Sequence, residues 1–112
     1  MAKVRWPFGE ATTTALSATG AQAISVDNDL TIIDGVTTEA TGNRTLNLTI
    51  PTDIKAGARM LVKSKTNGAE TTIFGTGCIA PTITGVAGKT KVVELLYDGT
   101  QFVPTAAAVQ ID

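Results

Sequence analysis

The sequence has no histidine and a single cysteine, Cys78, among its 112 residues. Without histidine, the commonest general base, metal ligand and member of hydrolytic triads is missing. One cysteine cannot close an internal disulfide, so stability does not rest on cross-links and the chain suits a reducing compartment. Cys78 itself reads as a buried, inert thiol. Charge is scarce too: 17% of residues carry it, and nine basic against ten acidic side chains leave a formal charge of −1. That balance gives no electrostatic footprint for nucleic acid or an anionic membrane. No apolar run approaches the ~18 residues of a membrane span, and MAKVRWPFGEATTT holds no signal-peptide core, so assembly in a cytoplasm is the expectation.

What the chain has in quantity is threonine, twenty residues of it, with eleven glycines but only three serines and five aromatics. Threonine and valine favour pleated, half-buried surfaces, and strong helix formers are sparse. The composition therefore predicts one all-β domain, a small Thr/Gly-rich antiparallel β sandwich or barrel-like body.

Residues 1–20 hold neither a period-2 nor a helical pattern and are expected to form an extended N-terminal arm. The β-structured domain is expected over 21–104, with 105–112 trailing as a C-terminal tail. Within the body, Arg44 to Ile50 alternates strictly, with Leu46, Leu48 and Ile50 on one face and Thr45, Asn47 and Thr49 on the other, and Pro51 ends it. Arg59 to Lys65 gives another strand, Met60, Val62 and Ser64 lying opposite Arg59, Leu61, Lys63 and Lys65. Asn67-Gly68 and Asp98-Gly99 each separate two apolar runs and predict two-residue hairpin turns. Lys91 to Tyr97 carries Val93, Leu95 and Tyr97 on one face and Val92 and Leu96 on the other, so both faces are expected to pack, as in a central or interface strand.

Few constellations suggest chemistry. Asp27 with Asp29, or Glu39 with Glu70, are the imaginable carboxylate pairs, but Asp27-Asn28-Asp29 has the composition of a turn and lacks the glycine and distal glutamate of a calcium loop. GTGCIAP supplies half a dinucleotide fingerprint with no third glycine and no helix after it. Arg59, Lys63 and Lys65 form a basic strand face whose plain reading is a solvated edge strand guarded by charge. No catalytic residue, metal or cofactor is expected. Trp6-Pro7-Phe8 stands apart, because two of five aromatics lie in a segment outside the expected core with Lys3 and Arg5 beside them. Lys3, Arg5, Trp6 and Phe8 are therefore the candidate partner-binding residues, the alternative being an arm that folds back onto its own domain or a sister subunit.

The order RTLNLTIP, a Gly-containing loop, ARMLVKSK, a turn, ETTIFGTG, a Gly-rich corner and TKVVELLYDGTQFVP resembles the small β domain of tailed-bacteriophage virion proteins. Such domains occur at tail-fibre ends, as short head fibres and as capsid decoration proteins. The resemblance spans about residues 30–104, with the terminal aromatic-Asp-Gly-Thr-x-aromatic hairpin at Tyr97 to Phe102. It implies a homotrimeric structural protein of the virion, without catalysis. With no long shaft sequence before the domain, it favours a decoration or head-fibre protein joined through its arm to the major capsid protein. An adhesin that binds host surface glycans is the alternative. On this reading Val92, Val93, Leu95, Leu96, Tyr97 and Phe102 are the candidate subunit-interface residues.

Overall fold

The computed structural model describes residues 11–112. Ten strands follow one another without a helix: β1 (Thr12–Ala15), β2 (Gly20–Ser25), β3 (Leu30–Ala40), β4 (Arg44–Thr49), β5 (Arg59–Thr66), β6 (Thr71–Phe74), β7 (Ile83–Thr84), β8 (Thr90–Tyr97), β9 (Phe102–Pro104) and β10 (Val109–Gln110). They form two sheets. One has the order β1-β3-β5-β8-β10, with β9 also on β8, and the other has the order β2-β4-β6-β7. The all-β expectation holds, and the hydrophobic core lies between the two sheets. Ile33, Met60, Val62, Val93 and Leu95 from the first meet Ile24, Leu46, Leu48 and Ile83 from the second.

The strand directions depart from the antiparallel expectation. β1 pairs parallel to β3 and β3 to β5, while β2 pairs parallel to β4 and β4 to β6. From β1 to β6 the chain thus crosses to the opposite sheet after every strand, and three turns of this flattened coil each add one strand to each sheet. A parallel pair needs a long crossover connection, and here the intervening strand of the other sheet serves as that connection. Antiparallel pairing enters only afterwards, at β6–β7, β5–β8, β8–β9 and β8–β10.

This route overturns the hairpin expected at Asn67-Gly68. β5 and β6 lie in different sheets, and the pair forms the crossing between them, with Asn67 N donating to Ala40 O at 2.9 Å. At Asp98-Gly99 the hairpin exists, but Tyr97 pairs with Phe102 across a four-residue connection. Only Gly99 has positive φ, at 101°. The Asp98 carboxylate accepts from Thr100 N at 2.8 Å and Gln101 N at 2.9 Å, supplying locally the order a primed two-residue turn would otherwise impose.

The ends differ as well. Of the expected arm, residues 1–10 fall outside the described residues, and 11–20 belong to the body: β1 joins the sheet edge and Leu16 is 2% exposed. Backbone pairing with β3, rather than side-chain burial, secures this Thr-rich strand. The expected tail likewise becomes β10, with Val109 opposite Val92. Asp112 adds a carboxylate that accepts from Thr90 N at 2.8 Å.

Candidate assembly surface

An outer sheet face is the most unusual surface of the molecule. Parallel strands are ordinarily covered on both faces, because crossover helices sheath them; here the crossovers are strands, and among the described residues no helix lies over β3 or β5. Inward positions alternate as Thr31 and Ile33 on β3, Met60, Val62 and Ser64 on β5, and Val93, Leu95 and Tyr97 on β8, all buried. The alternate positions put Leu30, Ile32, Leu61, Val92 and Leu96 on the outside, half-buried by their strand neighbours. Register sets Leu30 beside Arg59 and Arg59 beside Leu96, then Ile32 beside Leu61. The result is a mixed face on which these apolar side chains alternate with Asp34, Arg59, Lys63, Lys65 and Glu94.

Those charges are largely paired. Arg59 reaches Glu94 at 3.8 Å, and Lys65 reaches Glu39 at 3.5 Å. Asp34 lies opposite Lys63 in the ladder. Its carboxyl is lowered to about 2, chiefly by the Thr37 hydroxyl at 2.7 Å and the Val36 and Thr37 amides, with the Lys63 charge a smaller cause. β5 is a central strand between β3 and β8, so the basic residues Arg59, Lys63 and Lys65 do not guard an edge, as their sequence suggested. At one end of the face, Leu30, Ile32, Leu61, Arg59, Glu94 and the 55–58 loop line a hollow of about 510 Å³.

The six interface candidates separate cleanly. Val93 (5% exposed), Leu95 (0%), Tyr97 (9%) and Phe102 (0%) are packed in the chain's own core and are unavailable to a sister chain; the Tyr97 and Phe102 rings pack at a 38° tilt, 5.1 Å between centroids. Val92 and Leu96 alone of that group face outward, and Leu30, Ile32 and Leu61 join them. Strand parity finds these three once β3, β5 and β8 are known to be neighbours, which the sequence does not reveal. Lys3, Arg5, Trp6 and Phe8 lie outside the described residues. No aromatic ring among the described residues is exposed: Phe74 is half-buried and the other two are buried.

Sequence reasoning also missed a buried arginine. Arg44 is 2% exposed, where its parity with Leu46 and Leu48 on β4 points it inward. Its Nη2 donates to Gly35 O (3.1 Å), Ser64 Oγ (2.8 Å) and Lys65 O (3.1 Å), and its Nη1 to Thr38 O (2.9 Å) and Ser17 O (3.4 Å). Ser64 Oγ in turn lies 2.7 Å from Thr72 Oγ1. Burial lowers the guanidinium pKa, and the Asp34 charge opposes that shift. Its two Nη groups reach carbonyls of the β1–β2, β3 and β5 segments and the Ser64 hydroxyl, while Nε is buried without a partner, and these contacts make Arg44 a strut between the sheets.

The remaining chemical candidates are occupied or apart. Cys78 is buried, and burial pushes its thiol up to about 11. Glu39 holds Lys65 while Glu70 accepts from Gly68 N, so the two carboxylates serve separate local contacts. No cluster of three potential metal ligands occurs among the described residues. Comparison with protein-family models, with curated proteins and with solved structures returns no match.

Proposed function

We propose that this chain is a structural protein of a tailed-bacteriophage virion, a capsid decoration or short head-fibre protein that works as a homotrimer. The observation that carries the reading is the set of half-buried apolar side chains Leu30, Ile32, Leu61, Val92 and Leu96 on the outer face of a mixed sheet. Apolar patches left at a surface mark interaction sites, and sister copies closing around an axis would cover these side chains without open-ended growth. The threefold order is what the resemblance implies, and the outer face of the first sheet is the surface we assign to the axis. Attachment to the major capsid protein falls to Lys3, Arg5, Trp6 and Phe8, whose three copies on one trimer act together, so weak individual anchors give lasting attachment.

Two measurements test the reading. Light scattering at micromolar concentration is expected to give a trimer mass, and a stable monomer would refute the assembly. Co-sedimentation with undecorated capsids is expected to fail for the full-length Trp6→Ala/Phe8→Ala variant while its trimer persists. Equal binding by wild type and variant would move the anchor onto the β body.

A further inference from the structure

The crossing between β5 and β6 carries an arrangement that the assembly role leaves unused. Asn67 is exposed, and its carboxamide has no hydrogen-bond partner among the described residues. The next residue, Gly68, has no side chain to shield its nitrogen, and that N–H donates to Glu70 Oε1 at 2.6 Å. A carboxylate therefore sits on the proton that must leave if the Gly68 nitrogen is to become a nucleophile. The segment is held while this happens: Asn67 N donates to Ala40 O, Thr66 Oγ1 to Gly68 O at 2.8 Å, and Gly85 N to Glu70 O at 2.9 Å.

The other three asparagines provide the contrast. Asn28 Nδ2 donates to Thr12 Oγ1, Asn43 Oδ1 accepts from Thr71 N at 3.0 Å, and Asn47 Oδ1 accepts from Thr76 N at 3.0 Å. Each is followed by a residue with a side chain, Asp29, Arg44 and Leu48 respectively. Asn67 alone combines a free carboxamide, a glycine after it and a carboxylate on the attacking amide.

We propose that Asn67-Gly68 is a site of self-modification, with Glu70 as its general base. Glu70 takes the proton from Gly68 N as the nitrogen attacks Asn67 Cγ. The new C–N bond closes a five-membered succinimide, and the side-chain nitrogen departs as ammonia, carrying away the proton that Glu70 had received. Water then opens the ring at either carbonyl, giving aspartate or, with an extra methylene in the backbone, isoaspartate. No oxidant or cofactor takes part. The product adds a negative charge two residues from Lys65 and, in the isoaspartate form, lengthens the crossing between the two sheets.

The test is incubation of the full-length protein at neutral pH and physiological temperature, with peptide mass mapping and enzymatic isoaspartate methylation at intervals. Conversion is expected at Asn67 while Asn28, Asn43 and Asn47 stay intact. Glu70→Gln keeps an oxygen acceptor for the loop but removes the base, and is expected to slow conversion on the order of tenfold. Glu70→Ala, which removes acceptor and base, is expected to be slow as well, with far-UV circular dichroism confirming that both variants are folded. Absence of conversion at Asn67, or equal or faster conversion in folded Glu70→Gln, would overturn the proposal.

Discussion

Replacing Arg44 by methionine isolates the strut between the sheets. Methionine fills a similar volume with apolar atoms, so the transfer of the side chain itself is not the main loss. What it cannot do is satisfy the acceptors that Arg44 covers, four of which are backbone carbonyls and cannot be mutated away. Hydrogen bonds to a charged group are worth about 1.5–3 kcal/mol each, and relief of burying the guanidinium offsets part of the total. The net cost expected is about 3–5 kcal/mol, because carbonyls left buried without a donor cost about 1–3 kcal/mol each and the relief of guanidinium burial offsets part of that sum. For a domain of this length that lowers the melting temperature by roughly 12–20 °C. Urea unfolding followed by far-UV circular dichroism reads the change directly, with an unaltered m-value showing that the same fold is being compared. A methionine variant within about 1 kcal/mol of wild type would show that water or a small backbone shift serves those carbonyls equally well, and the strut assignment would fall. Gly35→Ala approaches the same place from the other side, since a Cβ there would stand 2.6 Å from Lys63 O and 2.9 Å from Arg44 Nη2. It is expected to destabilise even with Arg44 intact.

Other expectations are as direct. Gly99→Val forces a β-branched residue to positive φ and is expected to cost more than ~1 kcal/mol, so an unchanged melting temperature would contradict the turn geometry. Asp34 has a carboxyl held below its ordinary value, so its contribution is complete above the unfolded pKa of 3.8 and is lost as pH falls toward about 2. The melting-temperature gap between wild type and Asp34→Asn is accordingly expected to shrink across that window, and a constant gap would argue against it. Leu61→Lys places a charge at the centre of the outer face without touching the core. It is expected to yield folded monomers by light scattering, whereas an intact trimer would put the threefold contact elsewhere.

Much of the body is legible in alternation alone. Leu46 and Leu48 on β4, Met60 and Val62 on β5, and Val93, Leu95 and Tyr97 on β8 all point inward, as their spacing requires. Alternation says nothing about partners, however, because a half-buried strand alternates identically in parallel and antiparallel ladders. Asn67-Gly68 was therefore misread: a turn-forming dipeptide reports a local bend and cannot tell whether the chain folds back within one sheet or passes to the other. β1 and β10 escaped for a different reason, being edge strands fixed by backbone hydrogen bonds while their side chains stay largely exposed. Arg44 carried a usable signal in its parity with Leu46 and Leu48, which the charge of the residue masked. The candidate interface was half visible: Val92 and Leu96 follow from one strand, but Leu30, Ile32 and Leu61 need the order β3-β5-β8.

The alternation of the first six strands between sheets bears on how the molecule reaches its native state. No two of them that are consecutive in the chain pair with each other, so no hairpin is available as a local nucleus before β6. Each early pairing, such as Thr12 with Thr31 or Thr31 with Met60, closes a loop of roughly twenty to thirty residues before any ladder bond compensates the lost entropy. Local zippering starts only with β6 and β7 and continues where β8, β9 and β10 lie close in sequence. A nascent chain thus gains its first short-range pairing only after its first five strands have emerged, and folding is expected on the slow, millisecond-to-second side of the range for small domains.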